Sequence, residues 1–344
     1  MIWRHGRTSS AEPFGDIGFL DRTRAFAGVQ IGIAIGILLL AGLLLLASAR
    51  KPAFGHVLGV LGIAEITVFA LAMRASFPIA LLDDPILRRL RAEKPGDYRV
   101  LNLAGFPNSA MRYGMYDLWG YEPAVPGRYA AFMKRTQGRD PDDSDIYLDF
   151  EATDPLLIMA RLRFLILPEG KGIAVKEASQ QWPHLFLVGD YQVVSGRDAI
   201  YNAIHQSGFD PLRQIVLESR PDPAPAGTPP AGRARLLQQT TDALTIEAET
   251  DRPALLVVTD AYSRGWRAVA LPGSRQQQYT VMPANYIFRA VPLQAGKHRL
   301  RMEYAPWEFP VGLGISLSAT GLYLILLVRY AWRVRRTRMA RREP

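Results

Sequence analysis

A glutamate at position 65 interrupts an otherwise apolar run, "AFGHVLGVLGIAEITVFALAM", residues 53–73. A carboxylate inside a membrane helix is costly and is functional by default, on a proton or substrate path. The alternative is a glutamate at a helix–helix contact, neutralised or hydrogen-bonded to a neighbour. Pairing with His56 is disfavoured, because that spacing in a helix is about 13 Å along the axis. A second group is aromatic: Tyr113, Tyr116, Trp119, Tyr121 and Tyr129, with Asn108, Asp117 and Glu122 among them. Rings beside hydrogen-bonding groups suit a sugar or a prenyl acceptor. The same rings also serve the packing of an irregular loop or a membrane interface, and that use is favoured. Asp260, Tyr262 and Trp266 form a third group at a strand turn, a binding edge in which Trp266 equally suits a core plug.

The stretch "DPDDSDIYLDFE", residues 140–151, imitates a calcium loop, with Asp140, Asp142 and Ser144 at alternate positions and Glu151 at the twelfth. Its sixth position is Asp145, where the sharp turn of such a loop calls for glycine, so a solvated acidic loop is expected. His5, His56, His184, His205 and His298 have no ligand spacing, and neither a metal nor a cofactor is expected. Zero cysteines exclude disulfides, thiolate metal sites and thiol nucleophiles. No nucleophile elbow, Walker loop or dinucleotide fingerprint is present.

The elements that must position these groups divide between membrane and water. Residues 25–49 carry no charge and span a hydrocarbon core of about 30 Å with length to spare. Residues 53–73 and 309–332 are the second and third expected transmembrane helices. The net charge of +9 is concentrated in the tail, at Arg329, Arg333, Arg335, Arg336, Arg338, Arg341 and Arg342. A basic run after a span marks the cytoplasmic side, with anionic lipid rather than nucleic acid as its partner. That orientation puts residues 74–308 outside. It also puts the arm, residues 1–24, outside with Arg4, Arg7, Arg22 and Arg24, against the same rule.

The segment between the second and third spans opens with a short amphipathic helix. Ile86, Leu87 and Leu90 lie on one side of it, and Arg88, Arg89 and Arg91 on the other. Strands are expected at 98–104, 145–150 and near 214–218, with two short ones around Gly189-Asp190 in 184–194. Residues 154–167 begin helical and end as a strand over 163–167, and 196–209 has helical spacing. This is an α+β domain over residues 75–219. Residues 220–232, "RPDPAPAGTPPAG", read as a semi-rigid linker. Beyond it, evenly spaced strands predict an antiparallel, jelly-roll-like β-sandwich over 233–306, before the basic tail at 333–344.

The stretch "LLVVTDAYSRGWRAVALPG" followed by "PANYIFRAVPLQAGKHRLRMEYAP" resembles the C-terminal part of the bacterial YfhO family of membrane proteins. The matching features are Tyr262, Gly265 and Trp266, the Ala284-Asn285 step, the turn at Gly296-Lys297-His298, and the Tyr304-x-Pro306 exit into a last span. Upstream, "PNSAMRYGMYDLWGYEPAVPGRYAAF" is similar to another family segment, with Glu122 where aspartate is usual. "MARLRFLIL" and Glu65-Ile66 add to a likeness covering roughly residues 55–330.

The resemblance implies a relation to C-type glycosyltransferases, polytopic enzymes that move sugars from polyprenyl-phosphate donors at the outer face of the membrane. The catalytic acid of such enzymes lies in an N-terminal loop that has no counterpart here. The implied role is the C-terminal portion of a glycosyltransferase acting on lipid-linked sugars in the bacterial cytoplasmic membrane, without the catalytic loop. The expected partners are the lipid bilayer, a polytopic subunit or missing N-terminal half, and a lipid-linked sugar or envelope glycan. The alternative is a non-catalytic extracytoplasmic module that holds envelope polysaccharide or a partner membrane protein. The abrupt start also suits a gene remnant.

Overall fold

The computed structural model describes residues 17–72, 80, 83–122, 125–143, 148–151, 154–170 and 172–340. The chain divides into two compact units, Met1–Leu81 and Leu82–Pro344. Residues 1–16 of the expected arm, with Arg4, His5 and Arg7, lie outside the described residues, and helix α1 (Ile17–Ser48) takes in residues 17–24.

The first unit is a helical hairpin of α1 and α2 (Ala53–Ala72). The turn between them is tight: Arg50 and Lys51 both donate their backbone N–H to the Ala47 carbonyl, each at 3.0 Å. Their apolar stretches, Ala27–Ser48 and Ala53–Leu71, are long and apolar enough to cross a membrane. The same is true of Glu308–Arg333 in helix α7 (Glu308–Ala340), which belongs to the second unit.

The second unit begins with α3 (Pro85–Glu93), started by the Asp84 carboxylate, which accepts from the N–H groups of Ile86 and Leu87. Proline at the first helical position and an acidic N-cap make this a strong local start. Leu87 is buried with Tyr98, Val100, Met115, Phe164 and Ile166, while the arginines of α3 face water. That apolar side packs on a four-stranded sheet ordered β2-β1-β3-β4. Its strands are β1 (Arg99–Asn102), β2 (Tyr116–Asp117), β3 (Leu162–Glu169) and β4 (Gly172–Glu177). Between β2 and β3 lie α4 (Gly127–Thr136) and α5 (Leu156–Met159). Residues 148–150 of the expected strand at 145–150 are irregular instead, with Leu148 and Phe150 buried as core side chains; 145–147 lie outside the described residues.

The chain continues through β5 (Leu185–Val188), β6 (Asp190–Val193), α6 (Arg197–Ile204) and β7 (Gln214–Leu217). After residues 220–232 come β8 (Gly232–Gln239), β9 (Ala243–Thr250), β10 (Ala254–Val258) and β11 (Trp266–Ala270). The last strands are β12 (Gln278–Tyr279), β13 (Met282–Ala284), β14 (Phe288–Leu293) and β15 (Gly296–Tyr304). They form a six-stranded sheet, β5-β10-β14-β13-β7-β6, and a five-stranded antiparallel sheet, β12-β11-β15-β9-β8.

The two sheets make a sandwich. Leu244, Ile246, Leu300 and Met302 of the five-stranded sheet bury against Leu256, Val258, Val291 and Leu293. The opposite face of β10 and β14, with Leu255, Val257, Phe288 and Ala290, packs under Phe132, Ile200 and Tyr201 of α4 and α6. Strands β10 and β14 are therefore buried on both faces, which is why β10 reads as an unbroken apolar run and β14 as an apolar run interrupted by Arg289. Strand β15, with one wet face, alternates.

The expected division at 220–232 into an α+β domain and a separate sandwich is not what forms. Strand β5, upstream of that stretch, pairs with β10 downstream, Leu255 opposite Val188, and β7 pairs with β13 through Leu217 and Ala284. The cause is edge satisfaction: β10 and β13 would otherwise each leave a row of backbone groups unpaired inside the molecule. Asn285, at φ +44°, closes the second junction, donating its N–H to the Val216 carbonyl and accepting the Val216 N–H on Oδ1, both at 2.8 Å.

Candidate functional site

The chemistry-bearing groups that the fold concentrates are charges. Asp97 precedes β1, Arg99 opens it, and Arg161 sits in the turn between α5 and β3. His184 precedes β5, Asp260 follows β10, and Arg289 lies on β14. Asp260 is the hub. Its Oδ1 accepts from Arg99 at 2.8 Å and Arg161 at 2.6 Å; its Oδ2 lies 2.7 Å from His184 Nε2 and 3.6 Å from Arg289. Asp97 takes the other side of the same histidine, Oδ2 to Nδ1 at 2.7 Å, and also pairs with Arg161.

Backbone geometry holds these groups in place. Arg161 adopts a left-handed φ of +65°, a conformation that costs a branched-off Cβ about 1–2 kcal/mol. The two carboxylates that receive its guanidinium supply the reason for it. Thr259 ties the end of β10 to the start of β5, its N–H donating to the His184 carbonyl at 3.0 Å. Arg99 also donates to the carbonyls of Ala160 and Thr259, and Arg289 to that of Ala261. The Arg289 guanidinium lies 3.7 Å from the centre of the Trp266 ring, a cation–π contact worth most when desolvated.

Burial decides what this cluster can do. Arg161 is 1% exposed and Arg289 4%, whereas the Asp97 side chain is 38% exposed and is the side open to solvent. Burial would raise the Asp260 carboxyl, but the His184 hydrogen bond and the charges of His184, Arg289 and Arg161 hold it well below the usual range. Burial, then neighbouring arginines, pull Arg289 down to about 10 against the pull of Asp260. Three guanidiniums face two carboxylates, so the cluster carries surplus positive charge, and Arg161 Nε and Arg289 Nη1 are buried with no hydrogen-bond partner in the structure. Both nitrogens of His184 are committed to carboxylates, which leaves no lone pair for general-base work. The arrangement is an electrostatic clamp between the four-stranded and six-stranded sheets.

Of the residues singled out from the sequence, Asp260 and Trp266 belong to this cluster. Tyr262 stands beside it, 5.6 Å from the Arg128 guanidinium, which lies 4.4 Å from the Tyr286 ring and pairs with Glu218. The other aromatic group is divided by the fold. Trp119 stacks on Tyr129 at 6.2 Å and meets Phe150 edge-on, both rings packed against the main core. The Tyr113 hydroxyl donates to Asp83 and accepts the Asp84 N–H, bracing the start of α3. Asn108, at φ +61°, donates to the Tyr121 carbonyl. A Cβ at Gly120 would lie 1.5 Å from Asn108 Oδ1, so any side chain there must displace the Asn108 amide. Tyr116, Tyr121 and Glu122 are exposed. Asp117 is half-buried, and burial pushes its carboxyl up to about 6 against the N–H groups of Ala110 and Met111.

The acidic stretch is held by cations of the chain: Asp142 takes Arg197 through both oxygens at 2.6 and 2.8 Å, while Ser144 and Asp145 lie outside the described residues. Among the described residues no three acidic, histidine or cysteine groups converge on a metal position. Glu65 lies exposed on α2, with no hydrogen-bond or ion-pair partner among the described residues, and His56 bonds to its own helix at the Pro52 carbonyl. His205 bonds to the Tyr201 carbonyl and lies 3.4 Å from Asp154, and His298 bonds to the Gln294 carbonyl and the Tyr279 hydroxyl.

Sequence reasoning missed Asp97, Arg99, Arg161, His184 and Arg289 as a set. A signal was present. Arg99 in "YRVLNLA", Arg161 in "MARLRFLIL" and Arg289 in "YIFRAVPL" are charges inside runs otherwise fit for burial, and a buried charge demands a partner. Comparison with protein-family models, curated proteins and solved structures gives no match.

Proposed function

We propose that the chain is a membrane-anchored, extracytoplasmic module of the bacterial cytoplasmic membrane, YfhO-like in kind, that holds envelope polysaccharide or a partner membrane protein. The observation that carries this reading is the union of sandwich and span. Strand β15 ends at Tyr304 and α7 begins at Glu308, with no flexible spacer. Ala305 donates its N–H to the Gly265 carbonyl at 2.8 Å, and a Cβ at Gly265 would lie 2.6 Å from the Tyr304 ring and 3.2 Å from Pro306. A sandwich seated this way is presented at a fixed height, as a scaffold requires. Trp307 and Phe309, about 70% and 71% exposed at the head of α7, suit the headgroup layer. Arg329, Arg333, Arg335 and Arg336, toward the other end of the same helix, favour a cytoplasmic tail.

The second reading is the acceptor-side portion of a glycosyltransferase acting on lipid-linked sugars, with its catalytic bundle in another polypeptide segment. Glu65 favours it, as a carboxylate on a span-length helix with no partner among the described residues.

The absence of cysteine makes the test clean. Gln206→Cys and Arg335→Cys are introduced singly, and intact spheroplasts are treated with a membrane-impermeant maleimide. Label at 206 alone, with 335 reacting only after permeabilisation, is the expected result; the reverse pattern removes the extracytoplasmic reading. The full chain in nanodiscs should then retain isolated envelope polysaccharide, or a co-purifying membrane protein, over empty nanodiscs. Retention of neither ends the scaffold reading.

A further inference from the structure

His184 stands between two carboxylates, with each ring nitrogen 2.7 Å from an oxygen, Asp97 Oδ2 on one side and Asp260 Oδ2 on the other. A neutral imidazole has one N–H, so one of these contacts would set a nitrogen lone pair against a carboxylate oxygen. Only the imidazolium donates to both. A proton on a carboxylate instead is opposed by Arg161, which faces Asp97 and Asp260 together.

Other charged and titratable groups act on the two carboxylates. They are Arg99 on β1, Arg289 on β14, the half-buried Tyr129 of α4, and Tyr116 of β2, whose hydroxyl is raised by burial and then by the charges of Asp97 and Asp260. The two carboxylates are not equally held. Asp260 keeps Arg99, Arg161 and Arg289 whatever His184 does, while among the described residues Asp97 has only Arg161 besides the histidine. Asp97 is also the more exposed, and it lies in the short connection between α3 and β1.

We propose that His184 is a proton-operated pin: protonated, it fastens the α3–β1 corner to the six-stranded sheet through Asp97, and on losing its proton it lets that corner go. The departing proton is the Nδ1 proton, leaving toward solvent on the Asp97 side, and the Asp260 contacts stay intact. The sign follows from the ring's surroundings. Burial alone would depress the imidazolium, but the hydrogen bonds to Asp260 and Asp97 outweigh it and hold the group above the ordinary histidine value. The fastening is complete below about pH 6.5, the unfolded value, and is lost as pH rises through the folded one. The pin stands apart from the glycan reading, since its readouts involve no ligand.

The test uses the full chain in nanodiscs, with hydrogen exchange of peptides covering residues 94–102, corrected for the intrinsic pH dependence, and histidine nitrogen NMR. Wild type should show an imidazolium at neutral pH and roughly a tenfold loss of protection in these peptides as the ring titrates. In His184→Gln the pH dependence should vanish. In Asp97→Asn, the ring should titrate lower, with the protection change absent or moved to the same lower pH. Where His184→Gln fails to fold, Asp97→Asn decides. A neutral ring at pH 6 in wild type, an unchanged exchange transition in His184→Gln, or a titration unmoved in Asp97→Asn each overturns the pin.

Discussion

Asp260 accepts hydrogen bonds from three side chains and lies near a fourth, and their positions in the chain explain why the cluster was hidden. His184 is 76 residues away, Arg161 99 and Arg99 161. No local spacing rule spans such distances, whereas Asp260 and Trp266 drew attention because they share one turn. The cost of losing the hub is that of leaving buried cations unpaired. Asp260→Asn keeps the shape and removes the charge, and we expect it to lower unfolding free energy by about 3–5 kcal/mol in denaturant titration of the full chain. Arg267→Ala, at an exposed pair with Glu303, should change it by about 1 kcal/mol or less.

At the scale of elements, strands with one wet face or two dry ones were legible, because burial writes its period into the side chains. Strands β9, β10, β14 and β15 fall within residues 233–306, where evenly spaced strands were expected. The amphipathic α3 was equally plain, with apolar and arginine positions on opposite sides. Strand β4 was not, since its face is mostly exposed and Ile173 and Val175 stand in water at the sheet edge. Strand pairing was illegible for a different reason: β5 carries no mark that says its neighbour lies beyond a proline-rich stretch. The shared sheet makes a sharp prediction. Residues 233–306 expressed alone lack β5 and β7, and bare the face of Leu255, Val257 and Ala290 that packs under α4 and α6. That fragment should run as an aggregate in size-exclusion chromatography and bind a hydrophobic dye, while 83–306 runs as a monomer and does not.

For the whole molecule, composition alone disclosed three helices long and apolar enough to cross a membrane, because length and apolarity require no knowledge of partners. The pH response was beyond it, since that depends on which charges meet. Asp97 and Asp260 are held below the ordinary carboxylate range, each against the opposing effect of burial, by His184 and Arg161, with Arg289 adding to the hold on Asp260. Their contribution is present above about pH 3.8 and is lost as pH falls through the depressed values. His184 contributes in the opposite sense at the alkaline end. The thermal midpoint of the solubilised chain should therefore form a plateau in weakly acid solution. It should fall below about pH 3.8 and again as the histidine deprotonates, with the alkaline fall absent in His184→Gln.

The pairing of β5 with β10 also governs the order in which the protein can be made. A chain emerging from the ribosome delivers β5, β6 and β7 first, then the proline-rich stretch, β8 and β9, before β10 arrives to complete the ladder. For that interval β5 waits with a bare edge and β7 without β13, the condition in which chains meet wrong neighbours. The proline-rich stretch shortens the search by its stiffness, and Thr228, within it, already lies against Gly189, where a Cβ would sit 1.8 Å from the Thr228 carbonyl oxygen. Synthesis thus has a vulnerable period with a defined beginning and end, closing when β13 and β14 emerge to complete the six-stranded sheet.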